Sequence, residues 1–274
     1  MQAKYLLPFL LPAEATKLLL PLYVYPSWQG WWDNIYAAIA ANPNLEFQVI
    51  VNPSNGPGGS TPGYNSDYIS GVTRLNSYPN VHTFGYVYTS YGSRSLADVN
   101  QDTSYWANWN TYTAANISIN GVFFDETPNW TGNQGDNDVA YMTQATEYAH
   151  SLFDSETSAF ELIYNVGQQS NHLEYFDDDM ADFVIVFENY ADQYADTIIQ
   201  NNVPAGLADK ASILLHDFND GNNPLPSSYV QQWLQDFSNA GIGSAHILDY
   251  GYNQAQSTDA PAAISTVANI LANS

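Results

Sequence analysis

Eight short apolar runs recur along the 274 residues, and amphipathic or turn-rich intervals separate them. They are "KLLLPLYVYP" (17–26), "EFQVIVNP" (46–53), "VHTFGYVYTS" (81–90), "INGVFFDE" (119–126), "FELIYNVG" (160–167), "DFVIVFEN" (182–189), "ASILLHDF" (211–218) and "GSAHILDY" (243–250). Most lack the apolar–polar alternation of a strand with one wet face, so they predict strands covered on both sides. Several intervals carry helix signals. Residues 31–43 put Trp31, Ile35 and Ile39 on one stripe and stop at Pro43. Residues 136–153 open on Asp136 or Asp138 as an expected N-cap, and 227–241 start on Ser and end on Gly241. Residues 260–274 close the chain with a further helix.

Strands alternating with helices predict an α/β chain folded as a single (β/α)8 TIM barrel over 17–274. Residues 1–16 precede it as an N-terminal strap or the remnant of a leader. A doubly wound open sheet is the alternative, but the first turn reads "YPSWQG", with no glycine loop of the phosphate-binding type. No apolar run reaches the roughly 20 residues of a membrane span.

In such barrels function gathers at the carboxyl ends of the strands. Those ends present Tyr25, Asn52, Tyr88, Asp125 with Glu126, Asn165, Glu188, His216 and Asp249. Alternation along "DFVIVFENY" places Val184, Val186 and Glu188 on one side and Ile185 and Phe187 on the other, and small branched residues fill barrel interiors. Glu188 is therefore expected to point to the axis, with Asn189 beside it. Cations that might pair with it are scarce: Lys and Arg total 5 against 28 acids, a net charge of -23. Arg94, after the third strand, is the Arg expected near this rim.

Strands four and six are second neighbours around a barrel, so acids at their tips can approach across the mouth. Paired carboxylates are the working parts of glycoside hydrolysis: one donates a proton, the other attacks or activates water. Aromatic residues, 15% of the chain, suit the apolar faces of sugars. Trp28 and Trp130, just after strands one and four, are the candidate platforms; Trp31, Trp109 and Trp233 fall within helices and are expected in the core.

Other chemistries lack their residues. The acidic balance argues against nucleic acid and anionic membranes as partners. Absence of cysteine removes thiolate catalysis and cysteine-ligated zinc. There is no HExxH, no GxSxG and no calcium loop of correct spacing. No cofactor is expected, and the chain is expected to act as a monomer. Sequons at Asn116 and Asn129 permit glycosylation in a secreted chain.

The pieces "PLYVYPS", "VIVNPSNGPG", "GYVYTSYGSR", "GVFFDE" and "VIVFENYAD", in that order, resemble the spherulin 4-like proteins. This is the spherulation-specific family 4, classified as glycoside hydrolase family 135. The resemblance implies a (β/α)8 fold and a secreted or cell-surface enzyme. The implied activity is retaining, endo-acting cleavage of α-1,4-linked N-acetylgalactosamine in galactosaminogalactan. It also implies functional acids at Asp125, Glu126 and Glu188, with Glu188 the general acid/base and Asp125, or alternatively Glu126, the nucleophile. Two alternatives are an enzyme for the deacetylated polymer and a non-catalytic coat protein that binds polysaccharide.

Overall fold

The computed structural model describes residues 15–27, 29–153, 160–218, 228–249 and 264–274. Most of the expected N-terminal segment, and Trp28, lie outside them. The eight runs form eight parallel strands: β1 (Lys17–Leu22), β2 (Phe47–Val51), β3 (Val81–Tyr88), β4 (Gly121–Asp125), β5 (Glu161–Asn165), β6 (Phe183–Tyr190), β7 (Ala211–His216) and β8 (Ser244–Ile247). Each pairs with its sequence neighbours and β8 closes on β1, so the sheet is a closed (β/α)8 barrel. Around it lie α1 (Asp33–Ala41), α2 (Ser66–Leu75), α3 (Leu96–Trp109), α4 (Gly135–Phe153), α5 (Thr197–Asn202), α6 (Ser228–Ala240) and α7 (Ile264–Leu271).

The side-chain period of two splits every strand between two cores. Leu18, Leu20, Val49, Val51 and Val122 pack outward beneath the helices. Leu19, Ile50, Phe84, Phe123, Ile163, Phe183, Ile185 and Leu214 fill the barrel interior. Trp109 is fully buried and Trp233 nearly so, as expected for core residues; Trp31 packs against that outer core while staying partly exposed.

Three expectations need correction. Strand β1 ends at Leu22, earlier than its apolar run, so Tyr25 stands three residues beyond it rather than at its tip. Helix α4 begins at Gly135 after a 3₁₀ turn over 132–134, so neither Asp136 nor Asp138 is its N-cap. Asp138 instead accepts from the backbone N–H of Trp130 at 2.6 Å, fastening the loop that precedes the helix.

The third concerns β6. Val184 and Val186 lie in the outer core and Phe183 and Ile185 in the inner one, opposite to simple extrapolation from Glu188. Ile185 pairs with Ser212, yet Phe187 pairs with Ile213, so Val186 is an extra residue in a β-bulge. Beyond the bulge the parity flips. Phe187 joins Ile213 on the outer side, while Glu188 aligns with Leu214 and Tyr190 with His216 on the inner side. Glu188 thus faces the axis, but through a bulge rather than unbroken alternation.

The inner and outer cores meet closely at Gly85. A Cβ there would stand 2.4 Å from Trp106 Cδ2, and the Trp106 indole is fixed by donating to the Tyr86 carbonyl at 2.9 Å. Gly85→Ala is expected to cost about 1–3 kcal/mol from overpacking. Urea unfolding checks this; a midpoint equal to wild type would show that the indole relaxes freely.

Candidate active site

Asp125 ends β4 on the inner side, opposite Tyr88 of β3. Its carboxyl is half-buried and accepts three hydrogen bonds. Oδ2 takes the Tyr86 hydroxyl at 2.6 Å; Oδ1 takes the Glu126 backbone N–H at 2.8 Å and the Asn165 amide at 2.7 Å. The Asn165 Nδ2 donates also to Glu188 Oε2. One side-chain amide, buried at the tip of β5, therefore ties the acids of β4 and β6 together. Two oxygens sharing one donor nitrogen at ordinary hydrogen-bond lengths stand at most ~6 Å apart.

Glu126, next in the chain, has an unusual backbone. Its φ is 52°, in the left-handed region that non-glycine residues seldom occupy. The conformation is held by bonds to its carbonyl, from the Tyr91 N–H at 2.8 Å and the Thr89 hydroxyl at 2.6 Å. Ser90 and Tyr91, on the facing loop, also have positive φ, as does Asp217 after β7. Strained backbone thus gathers around the mouth, where the surrounding structure has to fix it.

Burial raises the pKa of Asp125, and the donors Tyr86, Glu126 N–H and Asn165 oppose that rise. Glu126 is also raised, first by desolvation and then by the charge of Asp125, with Ser90 hydrogen bonds pulling it down. Below the acids lies an aromatic floor. Tyr23 meets Tyr86 edge-on at 5.6 Å, and Tyr86 stacks on Phe123 at 5.9 Å. Burial and the neighbouring acids push both phenols far upward, so they stay protonated donors.

The other expected site residues divide. Tyr88 reaches the inner core, with the Arg94 guanidinium 4.1 Å from its ring centroid. Arg94 itself is spent on structure: it donates to the Tyr88 carbonyl at 3.0 Å and to Asp102 at 2.5 Å, and its side chain is largely buried. Trp130 is half exposed on the rim, its indole N–H donating to the Tyr91 carbonyl at 3.2 Å. His216 is buried against Tyr190, ring centroids 4.6 Å apart, and burial lowers its pKa against the opposing pull of Asp217. Asp249 is half-buried just past β8. Three residues stand apart from the acids. Asn52 accepts from the Gly56 N–H at 2.8 Å and shapes its own loop. The Tyr25 hydroxyl donates to Asp67 at 2.7 Å. Asn189 pairs in register with Leu215 on the outer side.

Tyr23, Tyr86, Ser90, Tyr91 and Tyr190 belong to the mouth and were not singled out from the sequence. Alternation in "GYVYTSYG" offers the signal for Tyr86, two residues before Tyr88; Tyr190 needs the bulge to be known first.

Among the described residues one group has metal-ligand types in reach of each other, Glu46, His82 and Glu161. It lies at the opposite, N-terminal pole. There the Lys17 ammonium sits 2.7 Å from Glu46 and 3.4 Å from Glu161 and supplies the positive charge itself.

Comparison with known proteins follows the same lines. The model of the spherulation-specific family 4 matches residues 17–265. Spherulin-4 of Physarum polycephalum is 34% identical over 157 residues, which is 57% of this chain but only 41% of that protein's length. Sph3 of Aspergillus clavatus, solved in complex with GalNAc, superposes with a TM-score of 0.77 at 24% identity, covering 94% of this chain and 98% of that one. A GH18 chitinase from Pseudoalteromonas aurantia superposes with a TM-score of 0.53 at 12% identity, covering 93% and 100%. At these identities the structural likeness establishes the barrel.

Asp125 has a folded pKa raised above its unfolded value. Its ionisation therefore costs stability as pH rises from about the ordinary aspartate pKa through the folded one. Asp125→Asn removes that cost and keeps an acceptor for Asn165 and a partner for Tyr86. The variant is expected to melt at or above the wild-type temperature at neutral pH, with the gap closing on acidification. A variant less stable than wild type at both pH values would contradict this.

Proposed function

The chain belongs to the spherulation-specific family 4, and from that membership and its acids we propose an endo-acting glycoside hydrolase for α-1,4-linked N-acetylgalactosamine chains. The proposed polymer is galactosaminogalactan, met outside the cell or at its surface by a monomeric enzyme without a cofactor. The single observation that carries this reading is the pair of carboxyl groups, Asp125 and Glu188, bridged by Asn165 at the aromatic-rimmed mouth of the barrel. That GalNAc is the sugar seen with Sph3 supports the choice of hexosamine.

In the proposed mechanism Glu188 protonates the glycosidic oxygen as Asp125 attacks the anomeric carbon. Water, deprotonated by Glu188, then releases the sugar. Retention requires carboxyl groups ~5–5.5 Å apart, whereas inversion needs roughly 6.5–9.5 Å to admit water. The shared amide of Asn165 favours the shorter spacing. A carboxylate offers about four lone-pair sites. Asp125 uses three of them on Tyr86, Glu126 and Asn165, which orient it and leave one for attack. Glu126 is the alternative nucleophile.

A deacetylated, cationic polymer is the second substrate to test, because 28 acids face only 5 Lys and Arg. The discriminating experiment incubates the protein with acetylated and deacetylated galactosamine polymers, chitin and a glucan, and reads products by mass spectrometry. Mixed-length N-acetylgalactosamine oligomers are expected first. Monosaccharide alone from the start, or cleavage of chitin or glucan only, contradicts the reading; binding without any product favours the coat protein.

Glu188→Gln is expected to lower turnover on the order of 10²-fold or more while leaving the melting temperature near wild type. In the wild-type reaction, proton NMR at early times should show the α-anomer; an initial β-anomer means inversion.

The acidic limb of the pH–rate profile is expected to report Asp125, which must be ionised to attack. The Tyr86 hydroxyl holds that pKa down. Tyr86→Phe should therefore move the acidic limb to higher pH. A limb that stays in place, or moves down, removes Asp125 as the group it reports.

A further inference from the structure

A groove of about 460 Å³ opens beside the acids, between the loops that follow β3 and β4. Tyr91 and Trp130 form its apolar walls, 57% and 49% exposed, and Ser90, Ser93, Gln134 and Asn137 add neutral polar groups. Its position relative to the acids is fixed by the backbone. The Tyr91 N–H donates to the Glu126 carbonyl, and the Trp130 indole donates to the Tyr91 carbonyl. The groove is thus an extension of the β4 side of the mouth, the side that carries Asp125 and Glu126.

A second aromatic surface stands on the other side. Tyr190, 50% exposed, lies two residues beyond Glu188 and packs edge-on over His216 of β7. The bulge gives Tyr190 the same inward parity as Glu188. Each half of the acid pair therefore has its own aromatic neighbour, Trp130 with Tyr91 for Asp125 and Tyr190 for Glu188.

Retaining chemistry is directional. The nucleophile bonds the anomeric carbon of the half that is retained and the donor protonates the oxygen of the half that departs, so the departing half of the chain lies on the donor's side and the retained half on the nucleophile's. We propose that the substrate chain crosses the mouth in one direction. Its non-reducing portion lies in the Tyr91–Trp130 groove and its reducing portion on Tyr190. The inference rests on the roles assigned above to Asp125 and Glu188. The groove residues are uncharged apart from Asp138, which is occupied by Trp130 N–H and faces His172 at 3.3 Å. An uncharged sugar stacked on the rings suits this lining, and an anionic sugar finds no cation there.

The test uses an α-1,4-linked N-acetylgalactosamine oligomer of defined length, labelled at its reducing end. Cleavage positions and rates are read by mass spectrometry for wild type, Trp130→Ala and Tyr190→Ala, with melting temperatures confirming that both variants fold. Losing the groove relaxes the need for several residues on the non-reducing side. Trp130→Ala should then shift cleavage toward that end, lengthening the labelled fragments, with a change of about 5-fold in their ratio, as expected for one lost stacking contact. Tyr190→Ala should shift it the opposite way and shorten them. Swapped shifts reverse the polarity and overturn the proposal. Unmoved cleavage positions with uniformly lowered rates overturn it too, by showing that neither surface is a subsite. If wild type leaves the oligomer intact, the functional reading falls and the polarity with it. Cleavage with unmoved labels removes the polarity alone.

Discussion

An extra residue in one strand decides what the mouth of this barrel contains. Val186 has no partner on β7, and the slip it introduces turns Glu188 and Tyr190 inward. With unbroken alternation from Ile185, Glu188 would lie among the helices, where an uncompensated carboxylate is costly. Instead it reaches the Asn165 amide, which already holds Asp125. The bulge, the amide and the two acids form one unit drawn from three consecutive strands. Bulges are common next to functional sites for this reason: they re-aim a side chain without altering the rest of the sheet.

Much of this was legible in the sequence. The eight apolar runs marked the strands, and the polar residues closing them marked the mouth, because a parallel barrel points all its carboxyl ends the same way. Asp125, Asn165 and Glu188 came from that rule. The parity of β6 was not legible, since a bulge is defined by two residues facing one on the partner strand and the partner is unknown from sequence. Arg94 was expected at the rim because it follows β3, but its bonds to Tyr88 and Asp102 depend on where α3 packs. Asn189 was expected beside Glu188 for adjacency in sequence, which on a strand means the opposite face. The positive φ of Glu126 has no local signature, because the loop bonds from Tyr91 and Thr89 impose it.

The charge distribution suits the two poles to different tasks. At the N-terminal pole the Lys17 ammonium pairs with Glu46 and Glu161 and closes the barrel bottom. At the mouth, among the described residues, no Lys or Arg bonds to Asp125, and neutral donors from Tyr86, Asn165 and the backbone stabilise it. A guanidinium there would depress the carboxyl pKa strongly. Neutral hydrogen bonds orient the group and favour its ionised form, which the attacking role requires.

The central claim is that Asp125 and Glu188 work as a nucleophile and proton donor held at retaining distance. The most direct measurement is trapping with a slow-release fluorinated α-galactosaminide, followed by peptide mapping of the intact adduct. The account predicts one covalent label on the segment Gly121–Glu126, placed on Asp125, and none in Asp125→Asn. A label on Glu188, or turnover of the reagent with no adduct detectable at any time, would contradict it.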